Sequence, residues 1–180
     1  GEKAIQVLDP TLLISKEEWG KIAGRSNEFP NGQYILLYKL HESEILINYA
    51  LQLKQQLNCK VYRVCKRAFS NTSYKGVINL LDAGPLEYIS LFKNATFVLT
   101  TSFHGTAFSV NFNIPFYAVL RPEKANNSRI TDFLENMGLS ERIIWEDKKE
   151  KLNYNVDFSY ANKKLEEEKN ASIEYLNKAI

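Results

Sequence analysis

The run QYILLYKL at residues 33–40 is almost continuously apolar. A strand with one wet face alternates apolar and polar residues. A strand covered on both faces does not, so this run predicts a strand sandwiched between helical layers. The period then switches. In SEILINYALQLKQQL (43–57), Ile45, Leu46, Tyr49, Ala50, Leu53 and Leu57 recur at helical spacing, and Ser43 or Glu42 opens the helix. A covered strand followed at once by an amphipathic helix is the first half of a parallel crossover unit.

The alternation continues along the chain. KVYRVC (60–65), GVINLL (76–81), ATFVLTT (95–101) and PFYAVL (115–120) read as strands. Gly84-Pro85 opens a helix to about residue 94, with the proline in the first helical position, where its missing amide costs nothing. HGTAFSVNF (104–112) reads as a helix stopped by Pro115, and SRITDFLENMG (128–138) as one closed by Gly138. Upstream, Ser15-Lys16-Glu17-Glu18 is a capping box whose short helix ends at Gly24. Parallel neighbours require crossovers, so the pattern predicts an α/β chain: a Rossmann-like three-layer sandwich with a mostly parallel sheet. Residues 66–76 read as a basic loop and 146–155, with its charge run EDKKEK, as a solvated connector. The terminal helix, about 158–179, has sparse apolar positions (Leu165, Ile173, Leu176, Ile180) and is expected to cover a surface rather than fill a core.

Composition narrows the function. The 180 residues are 44% hydrophobic, and 23 Lys plus Arg against 21 Asp plus Glu leave a net charge of +2. That balance argues against a protein that tracks nucleic-acid phosphates. Tyr62 and Phe69, although interleaved with basic residues, read as core rather than base-stacking platforms. Cys59 and Cys65 form no CxxC pair or disulfide framework, which suggests a reducing compartment and idle thiols. Two histidines and two scattered cysteines predict no zinc site or other metal centre. No apolar run approaches the roughly 20 residues of a membrane span, so no transmembrane segment is expected. The chain starts at Gly1 and is expected to be a piece of a longer protein.

Open parallel sheets bind ligands beyond the carboxyl ends of their strands. That rule selects four loops: KLHES, RVCKRAFS, TTSFHG and LRPEKANNSR. In TTSFHGTAFS (101–110), His104 lies at a helix start followed by Gly105 and Thr106, whose amides lack intrahelical acceptors and attract anions. A glycine there would let a ligand approach the backbone. His104 either serves a proton-transfer role or caps the helix, and the residues alone leave both open. Arg121, Lys124 and Arg129 follow within nine positions; Arg129 falls in a first helical turn beside Asn127 and Ser128, where a cation opposes the macrodipole unless an anion binds. Lys39 and His41, at the end of the first strand, are expected to face the same crevice. The GxGxxG, GxxxxGK[ST], HExxH and GxSxG motifs are all absent, so a nucleotide fold here needs another ligand.

VLDPTLLISKEEW (7–19), NATFVLTTSFHGTAFSVNFNIPF (94–116) and NNSRITDFLENMGL (126–139) together resemble the C-terminal half of polysaccharide pyruvyl transferase family proteins, over about residues 7–145. The resemblance implies an architecture like the GT-B glycosyltransferases, two Rossmann-like halves facing a cleft. Residues 1–25 would be a hinge segment and short helix from a missing N-terminal domain, 26–146 the donor-binding domain, and 147–180 a linker and a helix crossing back. It further implies a cytoplasmic transferase, peripheral at the inner membrane face, that moves the pyruvyl group of phosphoenolpyruvate to a sugar hydroxyl as a ketal in surface polysaccharide assembly. The acceptor would be a sugar or a lipid-linked oligosaccharide, no cofactor beyond the donor is implied, and this piece alone is expected to be inactive. His104 matches the family's motif histidine and would act as general acid or base. Ser102, Phe103, Gly105, Thr106, Arg121, Lys124, Ser128 and Arg129 would cradle the donor, with Lys39, His41 and Glu87 secondary. Two other readings stand beside it. One is a nucleotide-sugar-dependent glycosyltransferase half, for which Glu87 is the candidate acid near ribose; the other is a non-catalytic interaction domain, in which His104 and Arg129 would point apart or be sequestered.

Overall fold

A computed structural model describes residues 5–23, 30, 32–65, 72–81, 83–122, 127–148 and 150–179. Two helices lead, α1 (Pro10–Leu13) and α2 (Lys16–Ala23). Then come β1 (Tyr34–Tyr38), α3 (Glu44–Leu57), β2 (Lys60–Val64), β3 (Ile78–Leu80), α4 (Pro85–Lys93), β4 (Phe97–Thr100) and α5 (Phe103–Phe112). The chain closes with β5 (Phe116–Leu120), α6 (Ser128–Asn136), β6 (Ile143–Trp145) and α7 (Ser159–Ala179). Every expected strand and helix is present, within a few residues of its expected ends. Gly24, expected to end α2, and Phe69 lie outside the described residues; Tyr62 is buried, as expected.

All six strands are parallel, in the order β3-β2-β1-β4-β5-β6. The chain winds one way from β1 to β3 and the other way from β4 to β6, so the topological switch lies between β1 and β4. The covered strands explain the continuous apolar runs. In β1, Ile35 and Leu37 enter one core with α3, while Tyr34 and Leu36 enter another beneath α4 and α5.

Three features depart from the sequence reading, the first being the single-turn α1, for which no helix was expected. β6 was not expected: Ile143-Ile144-Trp145 is too short to show a period, and it becomes a strand only because β5 presents a free edge to it. The connector after it is not simply solvated. Leu152 is buried against the α3 face, and Phe158 on the opposite face. The Tyr49 and Tyr117 hydroxyls accept the amides of Glu150 and Asn153 at 2.8 and 2.9 Å, and the buried Arg142 donates to the Asn153 carbonyl at 2.9 Å. Its charged residues alternate with anchors that a composition window averages away.

The switch point is tightly built. The Thr100 hydroxyl donates to the Tyr38 carbonyl at 2.7 Å and accepts the Ser102 amide at 3.0 Å, while the Thr101 hydroxyl accepts the Leu40 amide at 2.9 Å. Gly105 packs directly on this bridge: a Cβ there would lie 2.2 Å from the Thr100 hydroxyl oxygen. Glycine at 105 therefore seats α5 against β4. The space expected for a ligand's approach is filled by Thr100. Gly105→Ala is expected to destabilise the fold by about 2 kcal/mol through this overlap, read as a lowered urea midpoint with an unchanged slope; a midpoint equal to wild type would show that α5 can shift without cost.

Candidate functional site

Helix α5 starts at Phe103, with Ser102 as its N-cap and no side-chain cap bond. Ser102, Gly105 and Thr106 are buried, and the Thr106 hydroxyl donates back to the Ser102 carbonyl at 3.0 Å. They shape the turn from within. Only Phe103 and His104 project outward, and the His104 side chain is 48% exposed. His104 does not cap the helix. Its Nε2 lies 3.6 Å from Oδ2 of Asp9, a charge contact rather than a close hydrogen bond.

Asp9 joins elements that are far apart in sequence. Its Oδ1 accepts the Thr11 amide at 3.0 Å and the Thr11 hydroxyl at 2.6 Å, capping α1. Its Oδ2 pairs with the Arg129 guanidinium as well as facing His104. Arg129 also lies over the Phe103 ring, 3.9 Å from its centroid, and Phe103 meets the His104 ring edge to face at 5.6 Å. Burial pushes the Asp9 carboxyl pKa up, but the two Thr11 hydrogen bonds and the charges of His104 and Arg129 outweigh it and hold the group below its usual range. An anionic carboxylate beside an imidazole orients it. Arg129 sits in the first turn of α6, where the helix dipole repels a cation; Asp9 and the Phe103 ring supply the offsetting attraction.

The other residues named from sequence gather elsewhere. Arg121 donates from Nε to Glu146 at 2.9 Å and from a terminal nitrogen to the Glu42 carbonyl. His41 Nε2 lies 3.7 Å from the second Glu146 oxygen. Burial raises the Glu146 pKa, but hydrogen bonds from Ser43 and Arg121 and the charges of Arg121 and His41 bring it below the ordinary value. Lys39 pairs with Glu42 at 2.5 Å. Lys39, His41 and Arg121 thus form a second group over the ends of β1 and β5, distinct from the one around Asp9. Ser128 opens α6 and is exposed, Glu87 folds over Gly84 at the start of α4, and Lys124 lies outside the described residues. Cys59 and Cys65 are free thiols. Among the described residues there is no cluster of three metal-ligating side chains, and no helix is long and apolar enough to cross a membrane.

Asp9 was missed from sequence. Its local signal, an aspartate before Pro10 in an N-cap position, reports a helix start, and the 94 positions between them (104 − 9 − 1) hide that the same carboxylate serves His104.

A family model described as polysaccharide pyruvyl transferase matches residues 1–121, a span that holds Asp9 and His104 but not Arg129. No curated protein matches the chain. Among solved structures, UDP-GlcNAc 2-epimerase from Methanocaldococcus jannaschii is similar at 13% identity and a TM-score of 0.45, over 88% of this chain and 42% of that one. The chain therefore spans less than half the length of that protein.

A carboxylate with a depressed pKa contributes stability above its unfolded value, near 3.8 for Asp9, and loses it as pH falls through the lower folded value. Asp9→Ala should cost about 1 kcal/mol near neutral pH, and urea unfolding should show the gap from wild type shrinking at about pH 3. A gap that stayed constant would assign the loss to packing rather than charge.

Proposed function

The chain belongs to the polysaccharide pyruvyl transferase family, and from that premise we propose that the Asp9–His104–Arg129 group binds phosphoenolpyruvate and moves its pyruvyl group to a sugar as a ketal. The convergence of these three residues carries the reading. The non-catalytic reading expects His104 and Arg129 to point apart or be sequestered, whereas both face one carboxylate at an exposed helix start.

Phosphoenolpyruvate offers a carboxylate and a phosphate, and Arg129 is the cation suited to both. Its planar fork has five N–H donors, of which, among the described residues, one terminal nitrogen is engaged on Asp9. His104, acting as general acid beside Asp9, gives a proton to the methylene carbon of the enol. The adjacent C2 becomes electrophilic, the first sugar hydroxyl adds to it, and the now neutral imidazole takes that hydroxyl's proton and is restored. The bond between C2 and the phosphate oxygen then breaks. The second sugar hydroxyl closes the ketal, and its proton leaves with inorganic phosphate. Arg121 is engaged with Glu146 and Glu42, so among the described residues charge on the departing phosphate falls to Arg129.

Calorimetric titration with phosphoenolpyruvate, with inorganic phosphate as control, tests the donor site. Arg129→Ala should weaken phosphoenolpyruvate binding about tenfold or more, and Arg129→Lys should restore only part of it. In a full-length enzyme that contains this chain, His104→Ala should lower sugar-dependent release of phosphate from phosphoenolpyruvate about 10²- to 10⁴-fold. Unchanged affinity in Arg129→Ala, or unchanged turnover in His104→Ala, would overturn the assignment.

A further inference from the structure

Across the switch point from His104, a cavity of about 450 Å³ opens at the carboxyl ends of β1, β2 and β3. It shares no residue with the Asp9–His104–Arg129 group. One side is cationic. The Lys39 side chain is only 6% exposed and Arg63 is buried, yet both line the cavity. Arg63 donates from Nε to Asn79 at 3.0 Å and from one terminal nitrogen to the Thr72 carbonyl at 2.6 Å; the two cations flank the Tyr74 ring at 5.1 and 5.2 Å. The other side is apolar and aromatic, formed by Tyr38, Leu81, Ala83 and Tyr88.

The acid that answers these cations comes from the lip. Glu42 has a side chain 67% exposed, and its carboxylate reaches inward to the Lys39 ammonium and takes the Tyr74 hydroxyl proton in a hydrogen bond. An exposed carboxylate resting on a buried ammonium and a phenol occupies the place an incoming anion would take. It is displaced at low cost, because its own charge returns to water. Glu87, at the start of α4, folds over Gly84, so the helix end is not the anion position. The volume is that of an organic-ligand pocket and far exceeds what inorganic phosphate or a three-carbon acid would fill.

We propose that this cavity binds a nucleoside diphosphate, with a phosphate replacing Glu42 on Lys39 and Tyr74, beside Arg63, and the base lying against Tyr38 and Tyr88. Aromatic walls suit the base, and the cations suit the phosphates. If the nucleotide is the handle of an acceptor sugar, a role that rests on the pyruvyl-transfer reading, the sugar projects from the end of β1 toward the neighbouring end of β4, where His104 begins α5. The binding itself does not rest on that reading.

Titration of the 180-residue chain with UDP and GDP, with inorganic diphosphate as a charge-only control, tests the site. At least one nucleotide should bind about tenfold more tightly than diphosphate. Glu42→Gln should tighten nucleotide binding about threefold by removing the competing carboxylate, and Lys39→Met should weaken it about tenfold. Ala83→Trp, which fills the apolar wall without touching a charge, should abolish it. Phosphoenolpyruvate affinity in Ala83→Trp should stay at the wild-type level. Nucleotide binding no tighter than diphosphate, or weakened by Glu42→Gln, overturns the proposal. Nucleotide binding without phosphoenolpyruvate binding keeps this pocket and removes the transfer reading.

Discussion

The contact between Gly105 and Thr100 is the constraint on which the functional edge depends. Thr100 is the last residue of β4, and its hydroxyl is committed to Tyr38 across the switch and to the Ser102 amide of its own turn. A side chain at 105 would have to displace that hydroxyl. With glycine there, α5 lies close on β4, and its first turn leaves the sheet at one defined angle. Phe103 and His104 are then the residues that clear the surface, while Ser102 and Thr106 are enclosed beneath them. The pairing of β1 with β4 and the exit direction of α5 are held by one set of hydrogen bonds.

On that platform a single carboxylate organises the charges. Asp9 is fixed by Thr11 before it meets either cation, so its position does not rely on them. It then draws His104 from α5 and Arg129 from α6 to the same oxygen. The Arg129 guanidinium lies over the Phe103 ring, which meets the His104 ring edge to face. An arginine in the first turn of α6 is locally unfavourable, and such placement is tolerated where a partner or a ligand supplies negative charge. The second group, His41, Arg121 and Glu146, balances its own charges and holds the ends of β1 and β5 beside the segment after β6.

The outer parts of the chain serve this edge indirectly. α1 packs on α5 and carries Asp9 at its cap, so the leading segment is tied to the site through its own small core contact at Leu12. The segment after β6 passes from the α3 face to the opposite face and delivers α7 over α1 and α5, where Ser172 accepts the Leu8 amide at 3.0 Å. A bond to Leu8 restrains the residue next to Asp9. The C-terminal helix therefore bears on the site even though it contributes no side chain to it.

The fold class was legible in the sequence because its cause is local. Continuous apolar strands and 3.6-period helices report two covered faces and their crossovers, residue by residue, and QYILLYKL with the helix after it already implies the parallel sheet. His104 and Arg129 were legible as candidates for the same reason: each stands at a helix start that can be read within its own loop. Strand order, the β6 edge and the anchored connector were not, since a three-residue strand and an anchor set among charges gain their meaning only from neighbours brought by the fold. Whether Gly105 served a ligand or a packing contact depended on what lay above it, and Thr100 occupies that space. Asp9 shows the limit most directly. What the sequence by itself determined is the Asp-Pro step that lets Asp9 cap a helix, a contact two residues long; only the tertiary structure decided that its other oxygen would face residues 104 and 129, because that choice depends on how α1, α5 and α6 pack around the end of β4.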